Sequence, residues 1–311
     1  MSASAHTHPS GAESAFGSIS FVETADGRRL QCMTDIPTLD KHPDTVVIFE
    51  SGLGAAHTFW GLVQQRVAEY ARTVVYCRAG YGSSDIDTEL RSVARMAEDL
   101  QAVVAAATSE RPSAKVILVG HSLGAAIVTQ LAADFGSQLV AGLVLVDGVW
   151  ADIPALRRSA YHRSLRLYSF GVQALARIGL TRWLTGKLVD MTLSEAYAAE
   201  AKGYELTPAA ARSRAKETLG WISDLRTAAL ATHLPERPVI ILSAAQSSLG
   251  SAKAHGDILA HHIQLALSTS RAEHRMVESG HNVLFEQPQS IVAAIDHLLD
   301  ANPLSGTPPG I

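Results

Sequence analysis

The sequence predicts an α/β chain built on a mostly parallel, doubly wound sheet with helices on both faces. Unbroken apolar runs, such as Thr45-Val46-Val47-Ile48-Phe49 and Lys115-Val116-Ile117-Leu118-Val119, read as strands covered on both sides. Helical stretches alternate with them, as crossover connections between parallel strands require. Gly52, Ser122 and Asp147 each follow such a run, which sets them at the carboxyl edge where these sheets carry their sites.

The elements follow in order. Ile19–Glu23 and Leu30–Thr34 form an opening hairpin around Ala25-Asp26-Gly27. Thr45–Phe49 is a central strand ending at Glu50-Ser51-Gly52-Leu53-Gly54, and a helix follows from about His57 to Tyr70. Thr73–Cys77 is the next strand, leading into Arg78-Ala79-Gly80-Tyr81-Gly82-Ser83-Ser84. Glu89–Ala107 has the apolar stripe Leu90, Val93, Ala97, Leu100 and Val104 of a helix. Lys115–Val119 then runs into Gly120-His121-Ser122-Leu123-Gly124, and a helix continues to Phe135. Ala141–Val146 is the sixth strand and stops at Asp147.

From Trp150 to about His233 no strand-like run occurs. Arginine-rich amphipathic stretches lie around Ala155–Ile178, Arg182–Val189, Ser194–Gly203 and Pro208–Ala231. An interruption of this length between two strands reads as a helical cap inserted after the sixth strand. The sheet resumes at Pro238–Leu242, followed by a helix (Ala252–Ser268), a strand (His274–Val277), the loop Glu278-Ser279-Gly280-His281-Asn282 and a last helix (Pro288–Leu299). The expected organisation is therefore a flexible tail at 1–18, an eight-stranded core at 19–149 and 234–301, a cap at 150–233 and a loose tail at 302–311.

Composition narrows the classes. The 311 residues are 47% hydrophobic and 18% charged, enough for a large core, and a net charge of −4 gives no reason to expect a nucleic-acid partner. No apolar stretch approaches the roughly 18 residues of a membrane span, and Met1–Gly17 lacks the pattern of a signal peptide, so a cytoplasmic location is expected. Cys32 and Cys77 fall in separate strands, with no disulfide framework implied.

Chemistry centres on Ser122. A strand, a turn too tight for side chains at Gly120 and Gly124, and a helix are the context in which G-x-S-x-G throws a hydroxyl out above a helix N-terminus. Ser122 thus reads as a nucleophile.

Four motifs in this order make residues 19–300 resemble the α/β-hydrolase family in its lid-bearing branch: the loop at Gly52, Arg78–Ser84, the turn at Ser122, and Ser279-Gly280-His281. The resemblance implies His281 as general base, since a serine hydroxyl needs a group with pKa near 6.5 to take its proton. It implies the backbone N–H groups of Leu53 and Leu123 as oxyanion hole, no cofactor and no metal. The family commonly places its acid after the seventh strand, but Ser243–Gly250 holds no carboxylate. Some members place it after the strand following the nucleophile helix, which here is Asp147. Asp257 and Asp152 remain alternatives, as does the absence of an acid.

Glu50 is either a satisfied group behind the loop or a substrate contact, and Cys77 is a small buried residue. His121 is expected to point away from the hydroxyl, and His261 and His262 to lie at the surface. Leu165, Leu167, Tyr168, Phe170, Leu175 and Trp183 could roof an apolar pocket. The expected function is hydrolysis of a small or medium hydrophobic acyl or aryl ester through an acyl-enzyme. Lactonase, thioesterase, carbon–carbon hydrolase and hydroxynitrile lyase chemistry share this machinery. A non-catalytic ligand-binding protein is the alternative from another class, and the oligomeric state is left open.

Overall fold

The computed structural model describes residues 13–134, 139–180, 195–204, 207–227, 234–247 and 252–301. Its sheet contains the eight expected strands and one short additional strand: β1 (Glu13–Ser14), β2 (Gly17–Glu23), β3 (Arg29–Asp35), β4 (Thr45–Glu50), β5 (Arg72–Tyr76), β6 (Lys115–His121), β7 (Val140–Val146), β8 (Val239–Ala244) and β9 (Ala272–Val277). The order is β1-β2-β3-β5-β4-β6-β7-β8-β9. The first three strands run antiparallel to their neighbours, and β5 to β9 with β4 form the parallel part.

The apolar runs have a direct structural cause. Side chains alternate across a strand, and both faces of the central strands are covered. Val46 and Ile48 of β4, Val116 and Leu118 of β6, and Leu143 and Leu145 of β7 enter one core with the helices α2 (Val93–Thr108) and α3 (Leu123–Asp134). Val47, Phe49, Ile117, Val119, Val144 and Val146 enter the other, with α1 (Gly61–Val67) and the C-terminal helix Pro288–Asp300. Polar residues at either parity would be buried, so both positions are apolar.

Among the described residues three helices stand between β7 and β8: α4 (Ser159–Arg177), α5 (Glu195–Tyr204) and α6 (Pro208–Thr227). After β8 come α7 (Ala252–Leu267), α8 (Val283–Glu286) and α9 (Pro288–Asp300). The expected helix at Arg182–Val189, with Trp183, lies outside the described residues, as do His6, His8 and residues 302–311.

Two expectations are corrected. Among the described residues the sheet begins at Glu13, so residues 13–18 are not part of a flexible tail. Phe16 is fully buried, and the Ser14 hydroxyl and Ala15 N–H both donate to Glu200, which fixes this segment. The helix expected from Glu89 starts at Val93, because the Ser92 side chain accepts from Arg95 N and caps it there.

Candidate active site

Ser122 occupies the turn between β6 and α3 with φ 54°, a left-handed conformation that is uncommon outside glycine. The surrounding backbone explains the two flanking glycines. A Cβ on Gly120 would come within 2.5 Å of Gly124 O, and one on Gly124 would collide with Glu50 O. Ser122 N donates to Val146 O at 3.0 Å, which ties the turn to the end of β7. The hydroxyl therefore stands at the carboxyl edge, beside the N-terminus of α3.

Asp147 follows β7, also with positive φ (42°). Its N–H donates to Leu242 O at 2.7 Å, and its Oδ1 accepts from Ala244 N at 3.0 Å, so β8 holds it at both ends. Oδ2 lies 2.6 Å from His281 Nδ1. Burial alone would raise the Asp147 pKa. The hydrogen bond and charge of His281, with the Ala244 N–H, outweigh it and hold the carboxyl below its ordinary value. An ionised carboxylate only accepts, so Nδ1 carries a proton, and in the neutral imidazole Nε2 is then the acceptor. Nε2 lies 3.0 Å from Ser122 Oγ.

His281 sits in the loop after β9. Gly280 N donates to Glu286 Oε2 at 2.7 Å, and Gln246 N to Ser279 O at 3.0 Å, which anchors this loop. His121 packs its ring 4.8 Å from that of His281 and meets the His281 carbonyl through Nε2 at 2.9 Å. Burial, then the neighbouring His281, lower its pKa to about 3, so it is neutral and its Nε2–H donates. Sequence reasoning missed this role because the contact joins positions 160 residues apart.

The structure does not bring the alternative acids to His281 Nδ1. Asp257 lies on α7, 3.5 Å from Lys253 one turn away, and Asp152 lies 3.7 Å from His261 Nδ1. His262 is a correction: it is fully buried, bonded to Ser243 Oγ at 2.6 Å and to Gly148 O at 2.8 Å, next to Asp147. Glu50 is buried behind the loop, bonded to Tyr76 and, at 2.6 Å, to Arg78. Arg78 also donates to Ser51 O and Gly52 O and pairs with Glu217 of α6, while Glu217 accepts from Gly54 N at 2.8 Å. The loop carrying Leu53 is thus fixed from below by one guanidinium.

A cavity of about 320 Å³ opens over Ser122, and Leu53, Leu123 and His281 line it. Tyr161, Leu165 and Tyr168 of α4 and Arg214 and Trp221 of α6 line it too. Leu167 and Phe170 do not roof it as expected; they are 72% and 68% exposed, because the phase of α4 turns them away from Leu165 and Tyr168.

A second nucleophile–base–acid run lies elsewhere. Cys77 Sγ is 3.2 Å from His57 Nδ1, and His57 Nε2 is 2.9 Å from Glu200 Oε1. Cys77 and His57 are both closed to solvent. Among the described residues no group of three or more His, Cys, Asp or Glu could hold a metal ion, and no helix is long and apolar enough to cross a membrane.

A family model described as "Alpha/beta hydrolase family" matches residues 47–295. A protein of Shigella flexneri provisionally named carbamate hydrolase RutD is 40% identical over 132 residues, 42% of this chain and 47% of the relative. The chain thus spans about half the length of the curated relatives it matches. Among solved structures, a thermophilic esterase from Thermogutta terrifontis superposes with TM-score 0.64 at 17% identity, covering 92% of this chain and 99% of the esterase. An esterase from Exiguobacterium antarcticum gives 0.64 at 13% identity, covering 90% and 99%. Likeness at that identity shows the fold.

Proposed function

We propose that this chain, which belongs to the α/β-hydrolase family, is a serine hydrolase that cleaves a small or medium carboxylic ester through an acyl-enzyme. The observation that carries this reading is the hydrogen-bonded run from Ser122 Oγ through His281 to Asp147, opening on a cavity. His281 Nε2 takes the hydroxyl proton as Oγ attacks the carbonyl carbon, and Asp147 stabilises the imidazolium that forms. The backbone N–H groups of Leu53 and Leu123 hold the oxyanion, each donor being worth about 3 kcal/mol in such sites. His281 then gives the proton to the departing alcohol, and water repeats the sequence on the acyl-enzyme. The helices between β7 and β8 act as the cap that closes the cavity and sets the substrate.

A carbamate is the second substrate class, favoured by the name of the 40%-identical relative. Its carbonyl would use the same groups. The test is rapid-mixing kinetics with 4-nitrophenyl acetate, together with peptide mass mapping of the quenched protein. A burst of nitrophenolate with acetyl on the Ser122 peptide is expected. Turnover without a Ser122 adduct would contradict the acyl-enzyme.

A further inference from the structure

Arg214 is the one permanently charged side chain among the described residues lining the cavity over Ser122. It comes from α6 and is half-buried, among Leu53, Phe59, Leu165 and Trp221. A cation held against such walls calls for a counter-charge. Among the described residues no carboxylate lies within 4.0 Å of it. Glu217, one turn further along α6, is taken up by Arg78 and by Gly54 N.

The guanidinium is also held in place. Its Nε donates to Gly54 O at 3.0 Å and its Nη2 donates to the same oxygen. Gly54 has φ +69°, and a Cβ there would collide with the Arg214 side chain, so the loop is shaped around this arginine. The remaining N–H groups form a planar fork suited to a carboxylate. Gly54 is two residues from Gly52, where a Cβ would lie 3.2 Å from Ser122 Cβ. Arg214 and Ser122 line the same cavity, so one bound molecule can meet both.

We propose that Arg214 is an anion subsite, and that the substrate carries a carboxylate in addition to the carbonyl that Ser122 attacks. What happens at Ser122 rests on the hydrolase reading; the anion binding does not. Two matched probes separate these claims: monomethyl succinate, and methyl succinamate, in which an uncharged amide replaces the carboxylate. Their affinities are measured by calorimetry on Ser122→Ala, which cannot form the acyl-enzyme, and again with Arg214→Gln or Arg214→Lys added.

The acid is expected to bind about tenfold more tightly than the amide, as a single charge-assisted pair supplies. Arg214→Gln should bring the two within about twofold, and Arg214→Lys should keep part of the preference because it keeps the charge without the fork. If Arg214→Gln does not fold by thermal melting, a several-fold loss of preference in Arg214→Lys carries the same result. Equal affinity in the Ser122→Ala protein, no measurable binding of the acid, or a preference that survives both substitutions would overturn the subsite. Acylation of wild-type Ser122 by 4-nitrophenyl acetate with no carboxylate preference would retain the hydrolase reading and remove the subsite. A carboxylate preference without acylation would do the reverse.

Discussion

Ser122–His281–Asp147 and Cys77–His57–Glu200 are built from the same kinds of group at similar spacing, in opposite surroundings. In the first run the nucleophile is 3.0 Å from the base and the base 2.6 Å from the acid; in the second the distances are 3.2 and 2.9 Å. Both histidines have a carboxylate whose pKa is held down against burial by the imidazole. The first opens on a cavity, with Ser122 on a left-handed turn at a helix N-terminus. In the second Cys77 and His57 are closed to solvent, and its members tie β1, the turn before α1 and α5 to the core through Ser14, His57 and Glu200. A hydrogen-bonded nucleophile, base and acid are therefore not in themselves a site. Access and backbone aim separate the two.

Substitutions at matched positions should split accordingly. Ser122→Ala should lower kcat for 4-nitrophenyl acetate by on the order of 10⁶-fold, leaving only binding and oxyanion stabilisation. Asp147→Asn should cost about 10⁴-fold by presenting the wrong imidazole tautomer. Its counterpart, Glu200→Gln, should leave kcat/KM within about threefold but cost about 1–3 kcal/mol in urea unfolding, because a buried bond is weakened. The comparison would break if Glu200→Gln and Asp147→Asn lost activity equally.

The buried histidines sharpen the contrast through pH. His121 has a folded pKa of about 3 against an ordinary 6.5, so between those values the unfolded chain binds the extra proton. Stability therefore rises with pH through this window and falls as pH drops below 6.5. Between pH 7 and 5 this one group should remove about 2 kcal/mol, read from urea midpoints, and His121→Gln should flatten that slope. At the small end, Cys77→Ala should change kcat/KM by less than about twofold, and the native thiol should resist a disulfide reagent that labels it after unfolding.

Most of the sheet was legible because strands buried on both faces must be apolar at both parities, as in Val46–Phe49 and Val116–Val119. The Ser122 turn was legible for a local steric reason, the closeness of Gly120 to the Gly124 backbone. The choice between Asp147 and Asp257 was not, since it depends on β8 holding Asp147 through Leu242 O and Ala244 N, a pairing with no local signature. His57, Glu200 and Arg214 were missed on the same ground: their partners lie 20 to 160 residues away. Arg214 also shares its helix with Arg212 and Arg226, and only the three-dimensional position of Gly54 singles it out. His262 was misplaced because its polar partner, Ser243, belongs to the neighbouring strand.

The claim that Ser122 is activated through His281 by Asp147 is tested most directly by fluorophosphonate labelling with peptide mass mapping. Wild type, Asp147→Asn and Asp257→Asn would be labelled side by side, with Ser122→Ala as blank. The expected result is an adduct on Ser122 that forms at the wild-type rate in Asp257→Asn and slows sharply in Asp147→Asn. Slowing only in Asp257→Asn, or no Ser122 adduct in folded wild type, would contradict the account.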